Sequence, residues 1–88
     1  MTLLKVSSKS NVHRVAGALA GSIREDGRAE MQTIGAGALN QAIKAISVTR
    51  TFFIPEGIDL ICIPALRNLE IDGELKTVIR LKVEERYS

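Results

Sequence analysis

Residues 58–83 read IDLICIPALRNLEIDGELKTVIRLKV, two apolar-rich runs joined at Asp72-Gly73. An Asp-Gly pair suits a two-residue type I′ turn, whose central residues both need positive φ, and it is the strongest short hairpin signal in the chain. Placing the turn there fixes the pairing: Ile71 opposite Glu74, Leu69 opposite Lys76, Leu66 opposite Ile79 and Cys62 opposite Val83. One face then carries Leu60, Cys62, Leu66, Ile79, Leu81 and Val83 as a core stripe. A slip of one residue would break that stripe, so turn chemistry and apolar pattern select the same register. Pro64 has no N–H to give to a ladder, which puts its strand at a sheet edge or at a bulge.

Upstream, Thr2 to Ser7 alternates, with Leu4 and Val6 on one side and Lys5 and Ser7 on the other, as a short half-buried strand does. Ser8-Lys9-Ser10-Asn11 supplies loop residues and two candidate N-caps, Ser10 and Asn11. Val12, Val15, Ala16, Leu19, Ala20 and Ile23 then keep helical spacing up to Gly27, a suitable C-cap. Gly17 and Gly21 sit inside this helix at a cost of roughly 1 kcal/mol each relative to Ala, and close approach of another backbone would account for them. Ala29 to Ile34 reads as a second strand, broken by Gly35-Ala36-Gly37 before a helix from about Ala38 to Phe53. On that helix Leu39, Ala42, Ile43, Ile46 and Phe53 form one apolar stripe, and Ala38, Ala45, Val48 and Phe52 a second beside it. An arc this wide calls for burial on two sides, whereas one sheet covers only one. A second copy of the chain is the expected cover, through Ala45, Val48 and Phe52. The order is βαβαββ, an α/β chain of the α+β two-layer kind. A four-stranded mixed sheet carries two helices on one face, in one domain over residues 1–88.

Composition narrows the functions open to such a domain. Eighty-eight residues leave no room for a separate substrate domain. Three aromatic residues, Phe52, Phe53 and Tyr87, argue against several exposed rings stacking on unpaired bases. Cys62 alone provides no disulfide and no multi-cysteine metal site. MTLLKVSSKS lacks the apolar run of a signal peptide, and no stretch reaches the roughly 18 apolar residues of a membrane span, so a cytoplasmic protein with no membrane role is expected. The net charge of +2 is small, but it is unevenly spread. Residues 1–28 hold Lys5, Lys9, Arg14, Arg24 and Arg28 against Glu25 and Asp26; residues 29–57 balance; residues 58–88 hold one acidic residue more than basic. An anion-attracting surface therefore belongs to the N-terminal third.

No enzyme chemistry stands out. His13 has no serine, cysteine or carboxylate at a triad spacing, and Cys62 falls on the core stripe, where a thiol packs as a small apolar group. Gly35-Ala36-Gly37 lacks the third glycine of a dinucleotide fingerprint, having Asn40 there, and no Gly-Lys-Ser/Thr follows for a nucleoside triphosphate. No cofactor or metal is expected. The glycine loop reads either as a tight turn admitting close helix–sheet packing or as backbone amides open to an anion. Ser8, Lys9, Ser10 and Asn11 read either as a cap with a solvated lysine or as phosphate-binding groups at a helix N-terminus. Lys5, Arg80 and Lys82 share the outer sheet face with Ile61 and Ile63 under the same register.

Three stretches, LKVSSKS (4–10), VAGALAGSIRE (15–25) and IGAGALNQAIKAI (34–46), together with GIDLICIPA (57–65) and IDGE (71–74), resemble the bacterial stage V sporulation protein S family over nearly the whole chain. That family is similar to the Alba superfamily of small dimeric nucleic-acid-binding proteins, whose βαβαββ order agrees with the pattern above. The resemblance implies a non-enzymatic nucleic-acid-binding regulator, linked to bacterial sporulation or a related developmental programme. It implies that the loop before the first helix, the start of the second helix and the last hairpin face DNA or RNA without strong sequence preference. The matching candidates are Lys9 and Arg14, then Asn40, Gln41 and Lys44, then Arg67. A homodimer is implied, with pairing of dimers into a tetramer left open. The glycine loop carries no charge, and Glu70, Asp72 and Glu74 outnumber Arg67 and Lys76 near the hairpin tip. Those departures motivate an alternative, a protein-interaction adaptor that keeps the dimeric fold without binding nucleic acid directly.

Overall fold

The structure, a computed structural model, describes residues 2–86. Its elements are β1 (Leu3–Val6), α1 (Val12–Asp26), β2 (Arg28–Thr33), α2 (Ala36–Phe53), a 3-10 turn (Ile54–Glu56), β3 (Asp59–Ile71) and β4 (Glu74–Arg86). The order is the expected βαβαββ. The sheet runs β1-β2-β4-β3, with β1 and β2 parallel and the other two pairings antiparallel.

The hairpin pairs as its turn requires, with Ile71 opposite Glu74, Leu66 opposite Ile79 and Cys62 opposite Val83. Asp72 and Gly73 both have positive φ, 52° and 78°, the geometry of a type I′ turn. β3 is an edge strand, which accommodates Pro64. The backbone N–H of Glu85 donates to the Gly27 carbonyl on the β2 side, while that of Leu60, opposite Glu85, donates to the Asp59 side chain. Leu60 and Glu85 thus form a non-hydrogen-bonded pair, and the even-numbered positions of β3 aim their N–H groups at the free edge. At Pro64 that position has no hydrogen.

Both helices cover one sheet face. Ala29, Met31 and Thr33 of β2, Leu81 and Val83 of β4, Val6 of β1 and Leu60 of β3 meet Ala16, Leu19, Ala20 and Ile23 of α1 and Ala42, Ala45, Ile46 and Phe53 of α2. Each large apolar side chain so buried contributes about 1.5–3 kcal/mol. The helices run parallel to each other, since Ser10 meets Gln41, Ala16 meets Thr49 and Arg24 meets Phe53 in the same order. Thr49, a polar residue inside the buried arc of α2, donates its hydroxyl to the carbonyls of Ala45 at 2.8 Å and Ala16 at 3.3 Å. It thereby satisfies itself and ties the helices together.

Several sequence expectations need correction. α2 starts at Ala36, so Gly37 lies in its first turn and Gly35 is the N-cap; the glycine loop is shorter than the sequence suggests. Of the two candidate caps of α1, Asn11 serves, accepting from the Arg14 N–H at 3.0 Å. Gly17 and Gly21 are exposed, and a Cβ added at either would meet nothing within 4 Å, so neither admits a neighbouring backbone within this chain. Leu66 has the parity of the core stripe yet is 66% exposed. β4 pairs with β2 only from Ile79 onward, so residues 67–71 and 74–78 run on as a two-stranded arm; Leu66 stands at its base, opposite Ile79, where the cover of the core gives out, and within the arm Val78 is buried. At about 3.4 Å per residue this arm projects about 17 Å.

Candidate nucleic-acid interface

Because β1 and β2 are parallel, the loops that follow them lie side by side at one end of the sheet, and both helices begin there. The two positive dipole ends consequently point the same way. The hairpin arm leaves from the same end, since Ile79 of β4 lies opposite Thr33, the last residue of β2.

The first loop is internally knit. The Ser7 N–H donates to Ser10 Oγ at 2.9 Å, the Lys9 N–H to Ser7 Oγ at 3.2 Å, and the Ser10 N–H to the Ser7 carbonyl at 3.1 Å. These bonds hold the Lys9 side chain outward on a fixed turn, and Arg14 follows in the first turn of α1, also exposed. Gln41 donates its Nε2 to the Ser10 carbonyl at 2.8 Å, joining the start of α2 to this loop. A Cβ at Gly37 would stand 2.9 Å from Ser8 Cβ, so only glycine lets the two loops touch. The packing and anion readings of the glycine loop are therefore compatible: Gly37 is the contact, while Gly35, at φ 88°, caps α2 without any side-chain acceptor. The first-turn amides of α2 thus have no side-chain partner. A recess of about 290 Å³, lined by Lys5, Val6, Ser7, Ser8, Gln32 and Ile34, opens beside the paired loops.

Charge pairing separates the two ends of the molecule. Among the described residues, Arg24 bonds Glu56 at 3.1 Å and stacks 4.5 Å from the Phe53 ring centroid, Arg50 bonds Asp59 at 2.7 Å, and Arg86 bonds the other Asp59 oxygen. All of these lie where the helices end. The Arg50 guanidinium, aided by Arg86 and the Leu60 N–H, holds the Asp59 carboxyl down at about 2. Lys5, Lys9, Arg14, Arg28, Lys44 and Arg67 take part in no ion pair among the described residues. Of these, only Arg28 belongs to the paired end.

The sequence matches the family model of Stage V sporulation protein S (SpoVS) over residues 2–86. The chain belongs to that family. Family membership links this SpoVS chain to sporulation. Its fold is Alba-like: Alba from Thermoplasma volcanium superposes with a TM-score of 0.62 at 15% identity, covering 97% of this chain and 99% of that one.

Within the SpoVS chain the candidate residues fall into three groups. Lys9 and Arg14 stand at the loop end, in no ion pair among the described residues. Asn40 and Lys44 are exposed on α2, with Lys44 a little over two turns from the helix start, about 12 Å along the axis; Gln41 spends its amide group on holding the loops together. Arg67 stands on the outer sheet face at the base of the arm, opposite Val78. Of the residues expected to meet a second copy, Phe52 is 44% exposed and Val48 is half-buried, whereas Ala45 is fully buried in the chain's own core and offers no surface. Of the parts that set the loop geometry, Ser10 and Gly37 carry a signal in the sequence, as a candidate cap and as part of a close-packing glycine turn; the role of Ser7 and the choice of Ser8 as Gly37's neighbour carry none.

Proposed function

We propose that this chain is a non-enzymatic, cytoplasmic, homodimeric regulator that binds DNA or RNA through the loop end, with little sequence preference. One observation carries the reading: Lys9 and Arg14, without an ion-pair partner among the described residues, stand beside two parallel helix N-termini, while Arg24, Arg50 and Arg86 at the far end pair with Glu56 and Asp59. Phosphate contacts dominate such binding, and they come from this set of groups, namely lysine, arginine, backbone amides and helix N-termini. Lys9 and Arg14 take phosphates, Asn40 and Lys44 extend the contact along α2, Gln41 positions the loop, and Arg67 adds a contact at the arm. The second copy sits against Val48 and Phe52.

Mobility shifts at two salt concentrations test this. With three or four phosphates neutralised, the slope of log affinity against log salt is about −3 to −4, and Lys9→Ala with Arg14→Ala makes it shallower by about two. No retardation at low salt, or an unchanged slope in the double variant, overturns the proposal. For the dimer, Val48→Glu with Phe52→Glu gives a monomer in sedimentation; a dimer that survives both charges moves the interface elsewhere.

A second reading, a protein-interaction adaptor, draws on the arm. Leu66 at its base and Leu75 within it are 66% and 75% exposed, on the same hairpin as the acidic Glu70, Asp72 and Glu74. Association with a protein partner that persists after nuclease treatment, combined with no retardation of nucleic acid, would favour it.

A further inference from the structure

The helices cover one sheet face, and the other carries a second cationic feature away from the loops. Register places its residues in rows across the sheet: Leu3, Glu30, Lys82 and Ile63 in one, Lys5, Gln32, Arg80 and Ala65 in the next. Between β4 and β3 these rows enclose a recess of about 180 Å³ lined by Glu30, Ile63, Ala65, Arg67, Arg80 and Lys82. It is too small for a whole cofactor, since such sites run to about 300–1,000 Å³.

Its polar groups are prearranged. Arg80 donates from Nε at 3.3 Å and Nη2 at 3.1 Å to the same Gln32 Oε1, and its Nη1 lies 3.9 Å from Glu30. The two hydrogen bonds fix the guanidinium plane and leave three of its five N–H donors free, the Glu30 approach being too long for a hydrogen bond. Arg67 has no ion-pair partner among the described residues, and Lys82 has only a 4.0 Å approach to Glu84 outside the recess. The lining sums to three cations against one carboxylate. Widening the patch adds Lys5 and Arg28 against Glu84, so the face stays cationic. Beside the cations, Ile63 and Ala65 give an apolar floor, and Ile63 is exposed.

We propose that this recess seats the phosphate of a nucleoside phosphomonoester between Arg67, Arg80 and Lys82, the nucleoside extending out of it over Ile63 and Ala65. A local charge of +2 complements a monoester, which carries about −1.5 to −2 at pH 7, better than a backbone diester, which carries one negative charge. The planar fork of Arg80 suits two phosphate oxygens at once. Free nucleotide and the 5′-phosphate end of a strand present the same chemistry. The site lies on the outer sheet face, away from Lys9 and Arg14 at the loop end, and shares only Arg67 with the interface proposed above.

Amide NMR titration of the full chain with adenosine monophosphate, inorganic phosphate and adenosine tests the assignment. Adenosine monophosphate shifts Ile63, Ala65, Arg67, Arg80 and Lys82, inorganic phosphate shifts the same residues more weakly, and adenosine shifts none of them. Arg67→Ala with Lys82→Ala lowers the affinity at least tenfold, whereas Lys9→Ala with Arg14→Ala leaves it unchanged. Arg80→Lys keeps the charge but loses the fork and also weakens binding, which separates recognition from mere attraction. An oligonucleotide with a 5′-phosphate shifting these residues more than its 5′-hydroxyl counterpart identifies strand ends as a source; equal effects assign the site to free nucleotide. Shifts confined to residues 7–11 and 34–38, equal response to adenosine, or no response to adenosine monophosphate overturns the proposal.

Discussion

Where α1 and α2 finish, Arg24, Arg50 and Arg86 each meet a carboxylate; where the same helices begin, Lys9 and Arg14 meet none among the described residues. The contrast arises from topology. The finishing end brings Glu56 and Asp59, which follow α2, next to arginines from α1, α2 and β4, so charge there contributes to closing the fold. The beginning end gathers two loops whose polar groups bond one another and whose cations point outward. One end uses charge to hold itself together, and the other keeps it available for a partner. Substitutions at the two ends should therefore affect different observables.

The largest stability effect is expected at the loop contact. Gly37→Ala introduces an overpacking cost of about 1–3 kcal/mol against the roughly 1 kcal/mol that alanine gains over glycine in a helix, a net loss in urea unfolding. In a Ser8→Gly background the clash is gone and the same substitution becomes stabilising. A loss that persists there would mean that the two loops do not touch. Next comes the tie between the helices: Thr49→Val removes the hydroxyl that reaches Ala16 and Ala45 and costs about 1 kcal/mol, whereas Thr49→Ser retains most of it.

At the finishing end the test is acid. Asp59 ionises at about 2 instead of its ordinary 3.8. Its ionisation thus favours the folded state above about pH 4, and that contribution is lost as pH falls towards 2. Thermal melts of Asp59→Asn should start lower at neutral pH and decline less between pH 4 and 2; parallel curves for the two proteins would remove Asp59 from the account. The smallest effect on stability belongs to Lys9→Ala with Arg14→Ala, within about 0.5 kcal/mol in unfolding, although the same pair governs the salt slope of binding. Were that pair to destabilise the chain as Thr49→Val does, the division between the two ends would fail.

The hairpin was legible to the residue, because Asp72-Gly73 sets the turn and a period of two allows only one register to keep Cys62, Leu81 and Val83 together. How far the helix layer reaches over it was not, and Leu66 illustrates the limit: parity assigns a face but says nothing of what lies above it. Helical spacing likewise put Ala45 beside Val48 and Phe52, whereas α1 takes up the angle that Ala45 occupies. Thr49 was hidden because its hydroxyl is satisfied by carbonyls that no residue pattern reveals. At the candidate site, Lys9 and Arg14 could be read from their place before and within the first helix turn. The far-end ion pairs could not, since Arg24 and Glu56 stand 32 residues apart.

The free edge of β3 has a consequence for self-association. A strand adding to that edge needs the outward N–H groups of successive even-numbered residues, and in the lower half Leu60 has given its own to Asp59 while Pro64 has none. Growth of a continuous intermolecular sheet is thereby interrupted at two of three neighbouring docking points. Proline guards at any pH, but the Asp59 guard depends on a carboxylate. Acid strong enough to protonate it weakens the arginine clasp and frees the Leu60 amide together, so one proton loosens the fold and opens part of the edge to other chains.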